Sequence, residues 1–176
     1  MKLKFSLILL VLITPLSLFA QEFNAVITDT TSSKPMLIGY TNLEAFADIS
    51  FSWWWNSEYK MYDVDSSSIE QLEGKLKDIQ IKVVLGTWCS DSRREVPRLF
   101  KILDAANYPS ESVTIISVNR DKVGLKNEVE KLKIEFVPTL IFIKDDKELG
   151  RIIEMPFDTM EKDILEILSI GDFDKE

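Results

Sequence analysis

The sequence predicts an α/β protein in which short apolar strands alternate with amphipathic helices. Apolar, β-branched runs at 81–85 and 113–118 are typical of buried strands. Apolar residues recur at helical spacing between them, for example from Val96 to Leu103. Parallel strands need long crossover connections, and the helical stretches are long enough to supply them. We therefore expect a central mixed sheet flanked by helices.

The first twenty residues have the composition of a secretory signal peptide. Lys2 and Lys4 form a basic start, residues 7–19 are mostly apolar, and Ala20 offers a small residue for cleavage. The apolar run is shorter than the about 20 residues that a membrane-spanning helix needs. We therefore expect export to the periplasm, or another extracytoplasmic space of a bacterium, with no membrane span after cleavage. An uncleaved N-terminal anchor is the alternative.

The composition narrows the chemistry that this chain can perform. Its 176 residues, 45% of them hydrophobic, suffice for one domain with a core. Removing Lys2 and Lys4 from the 21 basic residues leaves 19 against 29 acidic ones, a net charge of −10, which argues against nucleic acid and anionic membranes as partners. With no histidine and one cysteine, metal and haem sites lack their usual ligands and histidine-based triads are excluded, so no metal or cofactor is expected.

Residues 21–62 are expected to form an N-terminal extension that packs on the main domain. They begin with a β-like run at 25–28, and Asn42 is placed to cap a short helix. In the aromatic cluster that follows, the sequence predicts a strand with Trp53 and Trp55 on one face. Packing of these rings on the domain is one interpretation, and a ligand- or peptide-facing patch near the thiol is the other.

Several further elements are expected after the extension. Ser67 and Glu70 have the form of a capping box at the start of a helix. The spacing of Leu125, Val129 and Leu132 predicts another helix. The remaining expected elements are a strand after Pro138, an edge strand at 151–154, a final helix capped by Asp158 with Ile164, Leu165 and Leu168 facing inward, and an acidic tail at 171–176.

The only cysteine, Cys89, lies where the central strand gives way to a helix. At a helix N-terminus, the dipole and the unpaired backbone N–H groups favour a thiolate. A lone cysteine is more often an inert, buried small residue. The helix start and the neighbouring Trp88 favour a reactive thiol here. Because an exported protein with one cysteine has no internal disulfide, this thiol is either buried or available to another molecule.

The segment Trp88-Cys89-Ser90-Asp91-Ser92 resembles the W-C-x-x-C active-site motif of the thioredoxin superfamily, with serine in place of the second cysteine. Pro97 lies eight positions after the cysteine, where thioredoxins carry a helix-kinking proline. Residues 136–142 are similar to the family's cis-proline strand, and Gly150 follows a charged turn as in its last hairpin. The resemblance covers residues 63–170 and implies a thioredoxin-like three-layer fold with a short N-terminal extension.

The resemblance also implies a substrate groove around Cys89. Val137 and Pro138 would form the wall that faces the sulfur and pairs with a bound peptide, and Trp88 would line the groove. The peptide bond before Pro138 would be cis, although most X–Pro bonds in folded proteins are trans. An ordinary proline at the start of a strand is the alternative for Pro138.

Four neighbours of Cys89 are expected to influence its thiolate. Ser92, one helical turn on, can donate a hydrogen bond to the sulfur. Arg93 and Arg94 add positive charge, whereas Asp91 disfavours the thiolate by like-charge repulsion. For the two arginines, the alternative is an exposed helix face paired with neighbouring acids.

Two departures from the family pattern limit the chemistry. Ser92 cannot attack a mixed disulfide, so the protein cannot close an internal disulfide or act alone as a dithiol reductase. Val83 stands six residues before Cys89, where thioredoxins carry a buried acid that assists the second cysteine. The two losses agree with each other, because the acid serves the step that the serine abolishes.

The sequence leads to two main hypotheses of function. In the first, an exported monothiol exchanges disulfides with protein thiols or disulfides, or with a small thiol, and Cys89 is the nucleophile assisted by Ser92. In the second, the protein is a non-catalytic binding module whose groove and aromatic cluster hold an envelope protein partner. An accessory role in haem or cytochrome maturation is weaker, because related exported proteins use two cysteines there.

Overall fold

The computed structural model describes residues 22–173, so the predicted signal peptide lies outside the described residues. The described chain has six strands and four α-helices, with short 3₁₀ helices at Leu43–Ala47 and Ser110–Ser112. The strands are β1 (Ala25–Thr28), β2 (Pro35–Thr41), β3 (Gln80–Leu85), β4 (Thr114–Ser117), β5 (Thr139–Lys144) and β6 (Lys147–Ile153). The helices are α1 (Ile49–Met61), α2 (Ser66–Leu72), α3 (Ser90–Ala105) and α4 (Met160–Phe173). Between residues 22 and 173, no helix combines the length and the apolarity that crossing a bilayer requires.

The six strands form one mixed sheet in the order β1-β2-β4-β3-β5-β6. β3 and β4 are parallel, with Val84 opposite Ile116, and the other neighbouring pairs are antiparallel. α3 supplies the crossover between β3 and β4, as a parallel pair requires. The expected mixed sheet with helices packed on it is confirmed.

The two faces of the sheet contact different apolar cores. Ile81, Val83 and Leu85 of β3 are buried against apolar side chains from all four helices. Side chains alternate along a strand, so Val84 lies on the opposite face, where it belongs to a smaller cluster packed against residues from segment 119–135. The sheet therefore lies between a layer of helices and this segment.

The helix predicted from Leu125, Val129 and Leu132 is wrong, because 119–135 consists of turns and bends. At its start, the side-chain oxygen of Asn119 accepts hydrogen bonds from the backbone amides two and four positions on, at 3.0 Å each. Such local bonds compete with the amide-to-carbonyl pairing of a helix. Val129 and Leu132 still pack on the smaller cluster, so their apolar spacing serves burial without helical structure.

The aromatic segment predicted as a strand is the helix α1, so that prediction is wrong. Asp48 caps the helix, and its carboxylate accepts from the amide of Ser50 at 2.8 Å. Phe51 and Trp54, three positions apart, are both buried in the core. The strand prediction fails because three consecutive tryptophans fit both the two-residue repeat of a strand and the 3.6-residue repeat of a helix.

The tryptophans of α1 have different environments. Trp54 and Trp55 contact Phe46, and the Trp55 ring stacks on it at a centroid distance of 4.1 Å. Trp53 points away from the core, and 64% of its surface is exposed. The interpretation as packing on the domain therefore holds for Trp54 and Trp55, and Trp53 is left at the surface.

Two helices begin at caps other than the predicted ones. α2 follows Asp65, whose carboxylate accepts from the amide and hydroxyl of Ser67, so Ser67 lies inside the helix. Before α4, the Thr159 hydroxyl accepts from the amide of Lys162 at 3.3 Å, and Asp158 instead pairs with the ammonium of Lys162 at 2.8 Å. Where several Ser, Thr and Asp residues adjoin, all are good caps, and the sequence does not choose among them.

One strand was not predicted from the sequence, and two further elements have other bounds than predicted. β2 was not predicted, and it joins β1 to β4, so part of the N-terminal extension belongs to the same sheet. β6 begins four residues before the predicted Arg151 and is an edge strand, as expected. α4 continues to Phe173, into the segment predicted as an acidic tail, whose last three residues lie outside the described ones.

Candidate functional site

Cys89 occupies the junction between β3 and α3. Its amide donates to the carbonyl oxygen of Gly86 at 2.8 Å, and its own carbonyl accepts from the amide of Arg93 at 3.1 Å, the first hydrogen bond of the helix. Cys89 is the N-cap residue of α3, and its side chain makes no capping hydrogen bond. The sulfur of this partly exposed residue therefore lies at the positive end of the helix dipole.

The turn before Cys89 holds Trp88 against the backbone of Gly86. A Cβ atom added at Gly86 would lie 2.6 Å from the Trp88 indole, so this close approach requires glycine. The indole Nε1 donates to the carbonyl oxygen of Val118 at 2.9 Å, and the ring packs on the smaller cluster. Trp88 is thus fixed in orientation beside the sulfur.

The Cys89 thiol donates a hydrogen bond to the carbonyl oxygen of Val137 at 3.2 Å. The Val137–Pro138 peptide bond is cis, as the resemblance implies. Val137 is buried in the smaller cluster, and Trp88 and Cys89 pack against that cluster. The structure therefore brings together the four residues that the sequence assigns to the nucleophile and its groove.

Ser92 is fully buried on the inner side of α3. Its hydroxyl oxygen accepts a hydrogen bond from the amide of Gly86 at 3.2 Å. The expected hydrogen bond from Ser92 to the Cys89 sulfur is not among the hydrogen bonds formed by residues 22–173. In this arrangement Ser92 stabilises the turn that carries Trp88.

The two arginines that follow the motif point in different directions. Arg93 donates from Nε to a backbone carbonyl of the turn at 2.6 Å, and its guanidinium interacts electrostatically with Cys89. Arg94 pairs with Asp91 at 2.9 Å and with Glu95 at 2.5 Å. The alternative of an exposed helix face paired with neighbouring acids therefore holds for Arg94, which also balances the charge of Asp91. Arg93 instead binds the backbone of the turn that precedes Cys89.

Arg120 is a residue of the site that the sequence did not predict. Its guanidinium carbon lies 4.9 Å from the centroid of the Trp88 ring, and its charge interacts with Cys89. Arg120 follows β4, and the carboxyl ends of the parallel strands β3 and β4 meet at one edge of the sheet. Residues just past those ends gather at a common site, which is the signal that could have identified Arg120.

A buried carboxylate from the β1–β2 hairpin holds Arg120. The side chain of Asp29 is 2% exposed and accepts from Nε and Nη2 of Arg120, the latter at 2.8 Å. The hydroxyl of Ser32 and the amide of Thr31 donate to the same carboxylate. The hydrogen bonds from Arg120 and Ser32 hold the pKa of Asp29 well below its usual range, and the bond to Asp29 raises the pKa of Arg120.

The exposed Trp53 extends this site on the side of α1. The guanidinium carbon of Arg93 lies 5.9 Å from the centroid of the Trp53 ring. Burial lowers the pKa of Arg93, while the nearby Cys89 raises it, and an arginine remains charged at any ordinary pH. Trp53 is therefore the tryptophan of α1 that lies beside the site.

The described part of the chain offers no metal centre. Within residues 22–173, no group of three or more His, Cys, Asp and Glu side chains could hold a metal ion. The site is thus a sulfur with an aromatic ring, a backbone carbonyl and two guanidinium groups around it.

Parts of this chain are similar to known proteins. No protein-family model matches the sequence. The chain is 31% identical over 80 residues to a thioredoxin-like protein of Acanthamoeba polyphaga mimivirus, a match over 46% of this chain and 56% of the relative, so the chain spans little more than half of that relative's length. A solved protein of unknown function from Pseudomonas aeruginosa aligns with a TM-score of 0.55 at 15% identity, over 78% of this chain and 94% of that one. Thioredoxin O2 of Arabidopsis thaliana aligns with a TM-score of 0.37 at 26% identity, over 56% of this chain and 86% of that one.

The sheet order and the strand-to-helix position of Cys89 define the class of this protein. It is a mixed α/β protein with a thioredoxin-like fold, and the predicted fold class is confirmed. Its cysteine occupies the position that the motif resemblance assigns to the active-site sulfur.

Proposed function

We propose that this protein is an exported monothiol that exchanges thiols and disulfides through Cys89. The observation that carries the proposal is the partly exposed Cys89 at the start of α3, with the guanidinium of Arg120 over the adjacent Trp88 ring and that of Arg93 bound to a backbone carbonyl of the same turn. The thiolate is the attacking species in exchange, and positive charge at a helix start favours it. Trp88 and the backbone of Val137 flank the sulfur as a groove for the partner.

The exchange proceeds in two balanced steps. The Cys89 thiolate attacks one sulfur of a partner disulfide, a new S–S bond forms, and the other sulfur leaves as a thiolate that takes up a proton. A second thiol, from the partner or from a small molecule, loses its proton and attacks the partner's sulfur in the mixed disulfide. A new S–S bond forms between these two sulfurs, the bond to Cys89 breaks, and Cys89 leaves as the thiolate. The chain has a single cysteine, so this second thiol comes from outside. The disulfide moves between partners without a further oxidant.

The proposed site of action is outside the cytoplasm. The basic start, apolar run and small residue of positions 1–20 support export. Disulfides form and persist in such oxidising compartments, where a monothiol would find both its substrates and small thiols.

Mixed-disulfide formation on the purified protein tests the proposal. The probe is bis(2-hydroxyethyl) disulfide, followed by reduced glutathione, with intact mass spectrometry at each stage, and scrambled ribonuclease serves as a protein substrate. We expect an adduct on Cys89 that glutathione removes, isomerisation of the ribonuclease, and neither result with Cys89→Ser. Adduct formation no faster than on a free cysteine peptide, with no isomerisation, would reject the exchange function.

A non-catalytic binding module is the second candidate. Two observations favour it: the Cys89 side chain is already engaged in a hydrogen bond with the Val137 carbonyl, and Trp53 and Phe136 leave large apolar surfaces exposed. In this case the protein holds an envelope protein partner in the groove. Capture from an envelope extract with the parent and with Cys89→Ala separates the candidates, because a binding module keeps its partner without the sulfur.

A further inference from the structure

We propose that Asp29 is a positioning residue for Cys89, which acts through Arg120. The inference rests on the proposed function and deepens it, because it states what sets the reactivity of the sulfur. Asp29 lies in the N-terminal extension, outside the segment 63–170 that resembles thioredoxins. The extension would therefore contribute to the site as well as to the sheet.

The position of the Asp29 carboxylate is fixed by its own hairpin. The Asp29 amide donates to the carbonyl of Lys34 at 2.8 Å, and the Asp29 carbonyl accepts from the amide of Ser33 at 2.7 Å. The side chain accepts from Thr31 and Ser32 in the same turn. A carboxylate bound by its neighbours in this way has little freedom of orientation. It is therefore a rigid anchor for the guanidinium that it binds.

Arg120 is held from two sides. Its Nε and Nη2 atoms donate to Asp29, and its guanidinium lies over the Trp88 ring. The geometry of two N–H donors on one carboxylate restricts the plane of the guanidinium as well as its position. An arginine on a loop otherwise has many rotamers, so the pair with Asp29 selects the one that lies over Trp88, the residue next to Cys89.

Neutralising Asp29 has opposite effects on the Cys89 thiolate, depending on whether Asp29 acts by positioning Arg120 or by its own charge. The carboxylate of Asp29 is negative, so its charge by itself would disfavour a thiolate at Cys89. If Arg120 kept its place without Asp29, neutralising the carboxylate would make the thiolate more favourable. If Asp29 holds Arg120 in place, the same change lets the guanidinium move into solvent, and the thiolate loses its cation.

The rate of Cys89 alkylation by iodoacetamide, on the purified full chain, measures this effect. We expect Asp29→Asn and Arg120→Gln each to slow the reaction roughly three- to tenfold near pH 7, where the thiolate fraction limits the rate. Near pH 10, where an ordinary thiol is ionised, the rates should match the parent's, because access to the sulfur is unchanged. The double variant should be no slower than Arg120→Gln, since Asp29 acts only through Arg120.

A matched control and a milder variant accompany this series. Arg98 pairs with Glu58 through the same two nitrogen atoms, at 3.1 and 2.7 Å, and lies nine residues or about 13 Å along α3 from Cys89. Arg98→Gln should leave the alkylation rate unchanged. Ser32→Ala keeps every charge and removes one bond that orients Asp29, so it should slow the reaction near pH 7 by roughly twofold.

A rate near pH 7 that rises or stays constant in folded Asp29→Asn overturns the proposal. If Asp29→Asn does not fold, Arg120→Gln and Ser32→Ala decide: slower alkylation in both supports the proposal, and a constant rate in either overturns it. A Cys89 that iodoacetamide does not reach also overturns it. Alkylation requires no disulfide exchange, so a positive result here without mixed disulfides would reject the exchange function alone.

Discussion

The sulfur of Cys89 lies 3.2 Å from the carbonyl oxygen of Val137, a residue 48 positions further along the chain. The pairing of β3 with β5 brings them together, because Cys89 follows β3 and Val137 precedes β5 at the same end of the antiparallel pair. When the thiol ionises, it no longer donates to this carbonyl. The oxygen then becomes available to accept an N–H from a bound partner.

Ser92→Ala should reduce stability while leaving the sulfur largely unaffected. The change leaves the Gly86 amide without its side-chain acceptor in a buried turn, which costs about 1–3 kcal/mol of unfolding free energy. The alkylation rate of Cys89 should change less than about twofold, because Ser92 makes no hydrogen bond to the sulfur in the described structure. Urea denaturation and iodoacetamide kinetics measure the two effects.

Ser90→Ala is the matched control, since Ser90 is an exposed serine of the same helical turn. Ser90→Ala should change neither the unfolding free energy nor the alkylation rate of Cys89 appreciably. A marked loss of Cys89 reactivity in Ser92→Ala at unchanged stability would reinstate the thiolate-donor role that the sequence suggests for Ser92.

Ser92→Cys should convert the monothiol into a dithiol. Positions three apart in a helical turn are neighbours, and a thiol at the buried position 92 would lie beside Cys89. Under mild oxidation we expect an internal disulfide, seen as the loss of two hydrogens in the intact mass. Mixed disulfides should then cease to accumulate, because the new thiol resolves them. Persistent mixed disulfides in this variant would show that the two sulfurs cannot meet.

The elements predicted from the sequence are those whose pattern is local. β3, β4 and α3 follow from an apolar run or a helical period within a few residues, and Cys89 lies at the junction of β3 and α3. β2 could not be predicted in this way, because it is a strand by virtue of its pairing with β1 and β4, which lie far apart in the sequence. Segment 119–135 has a helical apolar period but uses it to cover the sheet without forming a helix.

Some residues of the candidate site could likewise be predicted from local motifs, and others could not. Trp88, Cys89 and Pro138 lie in short motifs that are visible along the chain. The pair of Asp29 and Arg120 could not be predicted from a motif, because 91 positions separate these two charged residues. The directions of Arg93 and Arg94 were likewise unresolved, because the choice between them depends on which acids the folded helix places nearby.

Phe46→Ala and Trp53→Ala should differ sharply in their effect on stability. Phe46 is buried and contacts the rings of Trp54 and Trp55, so its truncation should lower the unfolding free energy by about 3–5 kcal/mol. Trp53 is exposed, and its replacement should change stability by less than about 0.5 kcal/mol. Denaturant melts of both variants check this contrast. A large cost for Trp53→Ala would mean that its ring packs on the domain.

Gly86→Ala should disturb the site through Trp88. The added Cβ would fall 2.6 Å from the indole, so the ring must move and lose its hydrogen bond to Val118. We expect destabilisation of about 1–3 kcal/mol from the displaced ring and the lost bond, with slower exchange at Cys89. Gly74→Ala is the control for adding a methyl, because no atom lies within 4 Å of the corresponding position, although its positive φ adds local strain. Unchanged exchange in folded Gly86→Ala would show that the orientation of Trp88 is not required.

Stability should fall at alkaline pH through two tyrosines packed near the α1–α2 connection. Burial and the bond to Asp104 raise the pKa of Tyr59 to about 12, and burial with the bond to Glu161 raises the pKa of Tyr62 further. A pKa that is higher in the folded protein than the value of about 10 in the unfolded chain means that the unfolded state releases its protons first. Their contribution is therefore complete below about pH 10 and is lost as the pH rises toward 12 and beyond.

Tyr62→Phe tests this assignment. The variant should be less stable than the parent near neutral pH by about 1–3 kcal/mol, because the Tyr62 hydroxyl donates to the buried Glu161 at 2.7 Å. Its stability should also decline less steeply between about pH 10 and 12, because one of the phenols with a raised pKa is gone. Urea denaturation at intervals across this range gives both quantities. A decline as steep as that of the parent would assign the alkaline loss to other groups, whereas a shallower one identifies the ionisation of Tyr62 as part of its source.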